Sequence, residues 1–152
     1  GGPGFRDVAV NYSNGSTYYI PFDKEGDASL NRRTIYRFSP RGQRGTILES
    51  FDCPDPSTAA PSRSVTTTPL QALALLNNAF MLRMAEGLAG RAQREAGVGV
   101  GAGKQTARLY ELAYGRAPDD EELALGAELA AAHGLAALAR VLFNSNEFVV
   151  IE

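Results

Sequence analysis

The chain has 152 residues, of which 44% are hydrophobic and 21% charged, and its formal net charge is −2. This composition indicates a globular domain rather than a disordered chain, and the charge balance argues against nucleic-acid binding. No uncharged apolar run approaches the ~18 residues that a membrane span needs. The single cysteine, Cys53, excludes a disulfide within the chain and a metal site made of cysteines alone. Because the sequence begins at Gly1 without a Met or a signal peptide, we expect a piece of a longer protein.

Residues 1–45 are predicted to be rich in β-structure. Residues 5–12 and 17–22 carry many β-branched and aromatic side chains, and Asn14-Gly15 between them suits the type I′ turn of a hairpin. Residues 33–38 alternate, which predicts a third short strand with Arg33 and Arg37 on one face. Residues 46–68 contain several prolines and are predicted to be irregular.

Residues 69–152 have the pattern of packed helices. Thr68, Pro69 and Gln71 form an N-cap, a first-turn proline and a capping-box partner, so they predict a helix that starts at Pro69. Its apolar side chains recur at steps of three and four, which predicts one continuous helix to about Arg94. The glycines of residues 97–103 predict a flexible linker.

Three further helices are predicted after this linker. The second helix spans residues 104–114. The third starts at the Asp119 cap, with Glu122 completing the capping box, and the fourth spans residues 135–145, with Val141 facing inward. Because the strands come first and the helices second, we expect a single mostly α (α+β) domain: a β-hairpin plus a third short strand, a proline-rich segment and about four packed helices.

Several sequence strings together carry a family resemblance. They are RRTIYRF at 32–38, FDCPDP at 51–56, RSVTTTPLQAL at 63–73 with LLNN at 75–78, and LFNSNEF at 142–148. Through them the chain resembles the C-terminal part of a bacterial domain of unknown function that is abundant in planctomycetes. That domain follows cytochrome-C-type and cytochrome-C-like domains in large exported proteins. The resemblance implies an exported, periplasmic or envelope parent, upstream domains of that parent as partners, and haem only on a different domain. It assigns no catalytic residue to this chain.

One candidate metal site lies around the proline-rich segment. Asp52 and Asp55 flank Cys53-Pro54, and together with Asn77 they offer the oxygen ligands that Ca²⁺ prefers. The two carboxylates also suit a general acid/base pair. Alternatively, both aspartates form Asx-turns that hold the segment without any ligand. The sequence leaves these alternatives open.

A second candidate site lies at the start of the first helix. Thr66, Thr67 and Thr68 precede its free N–H groups, and Arg63 is close by in sequence, which favours a carboxylate, sulfate or phosphate. The alternative is helix capping, with Arg63 paired to one of the two aspartates.

A third candidate is the arginine-rich segment. Arg33 and Arg37, interleaved with Tyr36 and Phe38, have the chemistry to bind a sulfated or uronic polysaccharide. The alternative is that nearby acids neutralise these arginines, the candidates being Asp23, Glu25, Asp27, Asp52 and Asp55.

These features predict an accessory binding or assembly module of a large exported envelope protein, associated with polysaccharide. Its expected partners are the upstream domains and an anionic polysaccharide, not nucleic acid, and its only expected ion is calcium. Alternatively, the chain is part of a redox or carbohydrate-active enzyme, whose site includes Asp52, Asp55, Arg63 and Arg33.

Overall fold

A computed structural model describes residues 3–21, 27, 31–39, 48, 50, 51, 68–97 and 99–149. The chain divides into two compact units, residues 1–66 and residues 67–152. Both described strands lie in the first unit, and the second unit is helical. The predicted fold class, mostly α with an N-terminal hairpin, is therefore confirmed.

The hairpin of the first unit pairs strand β1 (Val8–Ser13) with strand β2 (Ser16–Pro21). The strands are antiparallel, and the pairing ends where Ser13 meets Ser16. Asn14 and Gly15 between them both have positive φ, 51° and 74°, as the predicted turn requires. Among the hairpin residues whose burial is described, residues 8–20, Val8 alone is buried.

The predicted third strand is wrong. Residues Thr34–Tyr36 form a 3₁₀ helix, in which the Tyr36 N–H donates to the Arg33 carbonyl at 3.0 Å. Arg33 is its N-cap and Arg37 its C-cap, so the two arginines do not share a strand face. The alternating pattern failed here because Arg37 finds one isolated bridging partner, Phe5, rather than a neighbouring strand. The local i→i+3 bonds satisfy the backbone instead.

The helix predicted over residues 69–94 is divided into two. Helix α1 spans Pro69–Asn77 and helix α2 spans Ala79–Ala96. Asn78 between them is extended, and its side chain caps α2 by accepting a hydrogen bond from the Phe80 N–H at 2.9 Å. An asparagine side chain competes with the helix for backbone donors, which explains a break that apolar spacing could not show. The predicted capping box of Thr68 and Gln71 is present.

The remaining helices are α3 (Ala102–Tyr114), α4 (Asp120–His133), α5 (Leu135–Phe143) and the short α6 (Asn146–Val149). Helix α3 starts two residues earlier than predicted, inside the glycine-rich stretch. The Asp119–Glu122 capping box is present as predicted. None of the described helices is long and apolar enough to cross a membrane.

The core of the helical unit is formed where α2 and α4 each pack against both α3 and α5, while α1 contacts α2 and α5. Its buried side chains include Ala85, Ala89, Ala92, Leu109, Leu138, Ala139 and Leu142. Val141, predicted to face inward, is 53% exposed. It lies two residues from buried Ala139, about 200° around the helix, and so faces the solvent.

A close contact between α3 and α4 tests this packing. A Cβ on Gly126 of α4 would lie 2.8 Å from Cγ2 of Thr106, a fully buried residue of α3. We therefore expect Gly126→Ala to lower the free energy of unfolding by about 1–3 kcal/mol, although alanine is the better helix former. In a Thr106→Ser background, which lacks that methyl group, the same change should cost much less. Denaturant unfolding measures both.

The matched control is Gly87→Ala, on the exposed side of α2. No atom lies within 4 Å of its added Cβ, so we expect it to raise stability by about 0.5–1 kcal/mol. Equal effects of the two glycine substitutions would contradict the close packing of α3 against α4.

Candidate functional site

Two short segments of the first unit are joined by backbone hydrogen bonds. The Phe5 N–H donates to the Tyr36 carbonyl at 2.9 Å, and the Phe38 N–H donates to the Phe5 carbonyl at 2.8 Å. These bonds form a parallel bridge between Phe5 and Arg37. They place Arg6 beside the segment that carries the other arginines. We call Arg6, Arg32, Arg33 and Arg37 the arginine cluster.

Aromatic rings hold two of these guanidinium groups. Cζ of Arg6 lies 4.8 Å from the centre of the Phe38 ring, and Cζ of Arg32 lies 5.7 Å and 5.4 Å from the centres of the Phe5 and Tyr36 rings. These distances are within the range of cation–π contacts. Such contacts orient a guanidinium group without using its N–H donors, which stay available for an anion.

Arg37 is neutralised within the cluster. Its Nε donates to Oδ2 of Asp7 at 2.6 Å, and both side chains are half-buried. The other carboxylate oxygen of Asp7 is also buried. This pair has no local signal in the sequence, because Asp7 and Arg37 are 30 positions apart and the Phe5 bridge brings their segments together. Of the acids proposed as partners, only Asp27 lies in the described residues, and it is half-buried.

The guanidinium groups of Arg6, Arg32 and Arg33 make no hydrogen bond or ion pair with any residue that the structure describes, and Arg6 and Arg33 are exposed. In the sequence, residues 1–66 carry eight Lys or Arg and seven Asp or Glu residues, a net charge of +1. The arrangement is therefore suited to binding an anion.

The other predicted site residues are not brought together in the described part of the chain. Thr68 uses its hydroxyl to cap α1, accepting from the Gln71 N–H at 3.3 Å. Asn77 is exposed and its side-chain amide donates to the Leu73 carbonyl at 3.2 Å. Lying outside the described residues are Asp52, Asp55, Arg63, Thr66 and Thr67. Among the residues described, no group of three or more His, Cys, Asp or Glu side chains is placed to hold a metal ion. The calcium site stays a prediction.

A second charged cluster, also missed from the sequence, lies in the helical unit. Arg116 donates to both carboxylate oxygens of Glu122 and both of Glu147, at 2.7–2.8 Å, and to the Ala117 carbonyl at 3.0 Å. Nearby, the Tyr114 hydroxyl donates to Oγ of Ser145 at 2.8 Å. These bonds join the α3–α4 connection to α6 and use every nitrogen of Arg116. This cluster is therefore a structural clamp rather than a site for an anion.

The Arg116 clamp lowers the pKa values of both glutamate carboxyl groups. Hydrogen bonds from Arg116, and then from the Asp119 N–H, lower the pKa of Glu122 to about 2. Hydrogen bonds from Arg116 also lower the pKa of Glu147. Both glutamates are therefore ionised throughout the neutral range.

Comparison with known proteins gives one family. The model of the PSD1 family, described as a protein of unknown function (DUF1553), matches residues 1–130. The chain belongs to this family. No curated protein and no solved structure gives a match. The family description carries no activity.

The Arg116 clamp predicts a pH dependence of stability. A glutamate whose pKa is lowered on folding stabilises the native state above its unfolded pKa, and this contribution is lost as the pH falls. We expect the free energy of unfolding to decline from about pH 4.5 towards pH 2, through the pKa of Glu122. Glu147→Gln should make this decline shallower, as measured by denaturant unfolding at a series of pH values.

Glu128→Gln is the control, because Glu128 is an exposed glutamate of α4 without an ion pair in the described residues. It should leave the acid decline unchanged. If the free energy of unfolding of Glu147→Gln declines with acid as steeply as that of the unchanged chain, the clamp contributes nothing to stability.

Proposed function

We propose that this chain is an accessory module whose N-terminal unit binds an anionic polysaccharide through the arginine cluster. The module would act within a large exported bacterial envelope protein that carries cytochrome-type domains, as the sequence resemblance suggests. The polyanion would contact Arg6, Arg32 and Arg33, while Arg37 with Asp7 holds the segment in place.

The observation that supports this function is that the arginines have two kinds of partner, carboxylates and aromatic rings. Arg37 and Arg116 have their charges satisfied by carboxylates. Arg6 and Arg32 are instead held by aromatic rings, and no carboxylate of the described residues forms an ion pair with either of them. Fixed guanidinium groups bind carboxylate and sulfate through paired N–H donors, and fixing them beforehand reduces the entropy lost on binding.

The proposal also fits the overall charge. A chain with a net charge of −2 repels a polyanion as a whole. A local surplus of positive charge on one unit favours a ligand whose anionic groups are spaced along a chain of neutral rings. An anionic polysaccharide has that spacing.

The test is binding of two probes, a heparin hexasaccharide (sulfated) and a galacturonate hexasaccharide (uronic), to the complete 152-residue chain. Titration calorimetry at low and moderate salt should detect at least one of them, with weaker binding at the higher salt because exposed charges are screened. Arg33→Gln should weaken binding roughly tenfold by removing a charged hydrogen-bond donor. Arg33→Lys should lie between that variant and the unchanged chain, since lysine keeps the charge without the paired donors.

Arg94→Gln is the matched control. It removes one exposed positive charge from α2 in the helical unit, so it should leave the affinity unchanged. An equal loss in Arg94→Gln and Arg33→Gln would indicate non-specific attraction. No loss in Arg33→Gln would overturn the proposed site. Adding calcium or EDTA to the same titrations tests the predicted Asp52–Asp55–Asn77 site separately.

A further inference from the structure

The turn that joins β1 to β2 carries a reactive pair of residues. The chain has seven asparagines, and Asn14 alone of them precedes a glycine. Asn14 and Gly15 are both exposed, and their φ values are 51° and 74°. The turn therefore places an asparagine amide next to a backbone nitrogen that no side chain of its own residue shields.

The hairpin makes no use of this nitrogen. In a two-residue turn the closing hydrogen bond joins the first and fourth residues, here Ser13 and Ser16, and the N–H of the third residue takes no part in it. Neither the Gly15 N–H nor the Asn14 amide forms a hydrogen bond with a residue that the structure describes. A Cβ added to Gly15 would meet no atom within 4 Å. This side of the turn is thus open to water.

The asparagines of the helical unit are held differently. The side-chain amides of Asn77 and Asn144 each donate to the carbonyl four residues earlier, at 3.2 Å and 2.8 Å. Oδ1 of Asn78 accepts from the N–H two residues further on at 2.9 Å. These bonds restrict the rotation that would bring the amide carbon to the next backbone nitrogen. Asn11, although exposed, lies within the paired part of β1.

We propose that Asn14 is a deamidation site, which converts to aspartate and isoaspartate with water as the only co-reactant. The Gly15 nitrogen loses its proton and bonds to Cγ of Asn14, forming a five-membered imide. The Cγ–Nδ2 bond breaks, and the amide nitrogen leaves with the lost proton as ammonia. One water molecule then opens the imide at either of its two carbonyl groups. Nothing is oxidised or reduced in these steps.

The two products have different effects on the hairpin. Aspartate followed by glycine suits the same type I′ turn. Isoaspartate carries the main chain through its own Cβ, which adds one backbone atom to a turn whose length sets the register of the strands. Isoaspartate should therefore weaken the pairing of Ser13 with Ser16 at the end of the hairpin. Both products add a negative charge, so residues 1–66 then hold eight acidic and eight basic residues and their net charge falls from +1 to 0.

The test is incubation of the complete 152-residue chain at about pH 7 and about pH 9, followed by trypsin digestion and mass spectrometry. Cleavage after Arg6 and Lys24 gives one peptide that contains both Asn11 and Asn14. Fragmentation of this peptide should show oxygen in place of NH at Asn14 and an unchanged Asn11. The conversion should be faster at the higher pH, because the attacking nitrogen must lose its proton. An isoaspartate-specific methyltransferase identifies the isoaspartate product.

The same incubation in urea measures how far the folded turn slows the reaction. Exposed loop ends open with a free energy close to zero, so the native chain should react no more than about tenfold more slowly than the unfolded chain. Asn14→Gly is the matched control, because two glycines suit the same turn and the amide is gone. Gly15→Asp keeps a residue that tolerates positive φ but places a side chain beside the attacking nitrogen, so Asn14 should react more slowly.

The outcomes decide the inference. Isoaspartate that forms at Asn14 in the native chain, and that is missing from Asn14→Gly, supports it. Equal conversion of Asn11 and Asn14 would overturn it, because the turn would then have no special reactivity. Conversion of Asn14 in urea but not in the native chain would overturn it as well. Circular dichroism confirms that both variants are folded.

Discussion

The candidate site depends on one backbone pairing, that of Phe5 with the segment around Tyr36 and Phe38. Two hydrogen bonds join stretches that are about 30 residues apart in sequence. Because of this pairing, Asp7 reaches Arg37, Arg6 reaches the Phe38 ring, and Arg32 reaches the Phe5 ring. Without it the arginines would be separate exposed side chains with no common orientation. The pairing thus converts a basic stretch of sequence into a fixed group of guanidinium donors.

The arginine cluster and the Arg116 clamp show how the same residue type serves two purposes. Arg116 donates to two glutamates and a carbonyl, so its charge is used within the protein. In the arginine cluster, Arg37 is the one arginine that has an ion pair among the described residues. Arg6 and Arg32 are positioned by rings, whose attraction for a cation leaves the N–H donors unbonded. What distinguishes a structural arginine from a candidate binding arginine here is the chemistry of its partner, not its exposure alone.

Local signals in the sequence were sufficient for the hairpin and for most helix boundaries. The Asn14-Gly15 turn and the capping boxes of Thr68 and Asp119 are determined by residues within four positions of each other, and all three are present. The failures depended on non-local or competing interactions. Residues 34–36 alternate like a strand but had no neighbouring strand to pair with, and Asn78 interrupts an apolar stripe through its own side chain. Asp7, the partner of Arg37, and Glu147, one partner of Arg116, lie about 30 residues away, beyond any local pattern.

The most direct test of the account is a map of the residues that respond to the ligand. Backbone amide signals of the isotopically labelled chain, followed by NMR while galacturonate hexasaccharide is added, report contacts residue by residue. We expect shifts in the arginine cluster, with helices α2 to α5 unchanged. Shifts concentrated in those helices, or no shifts at all, would contradict it.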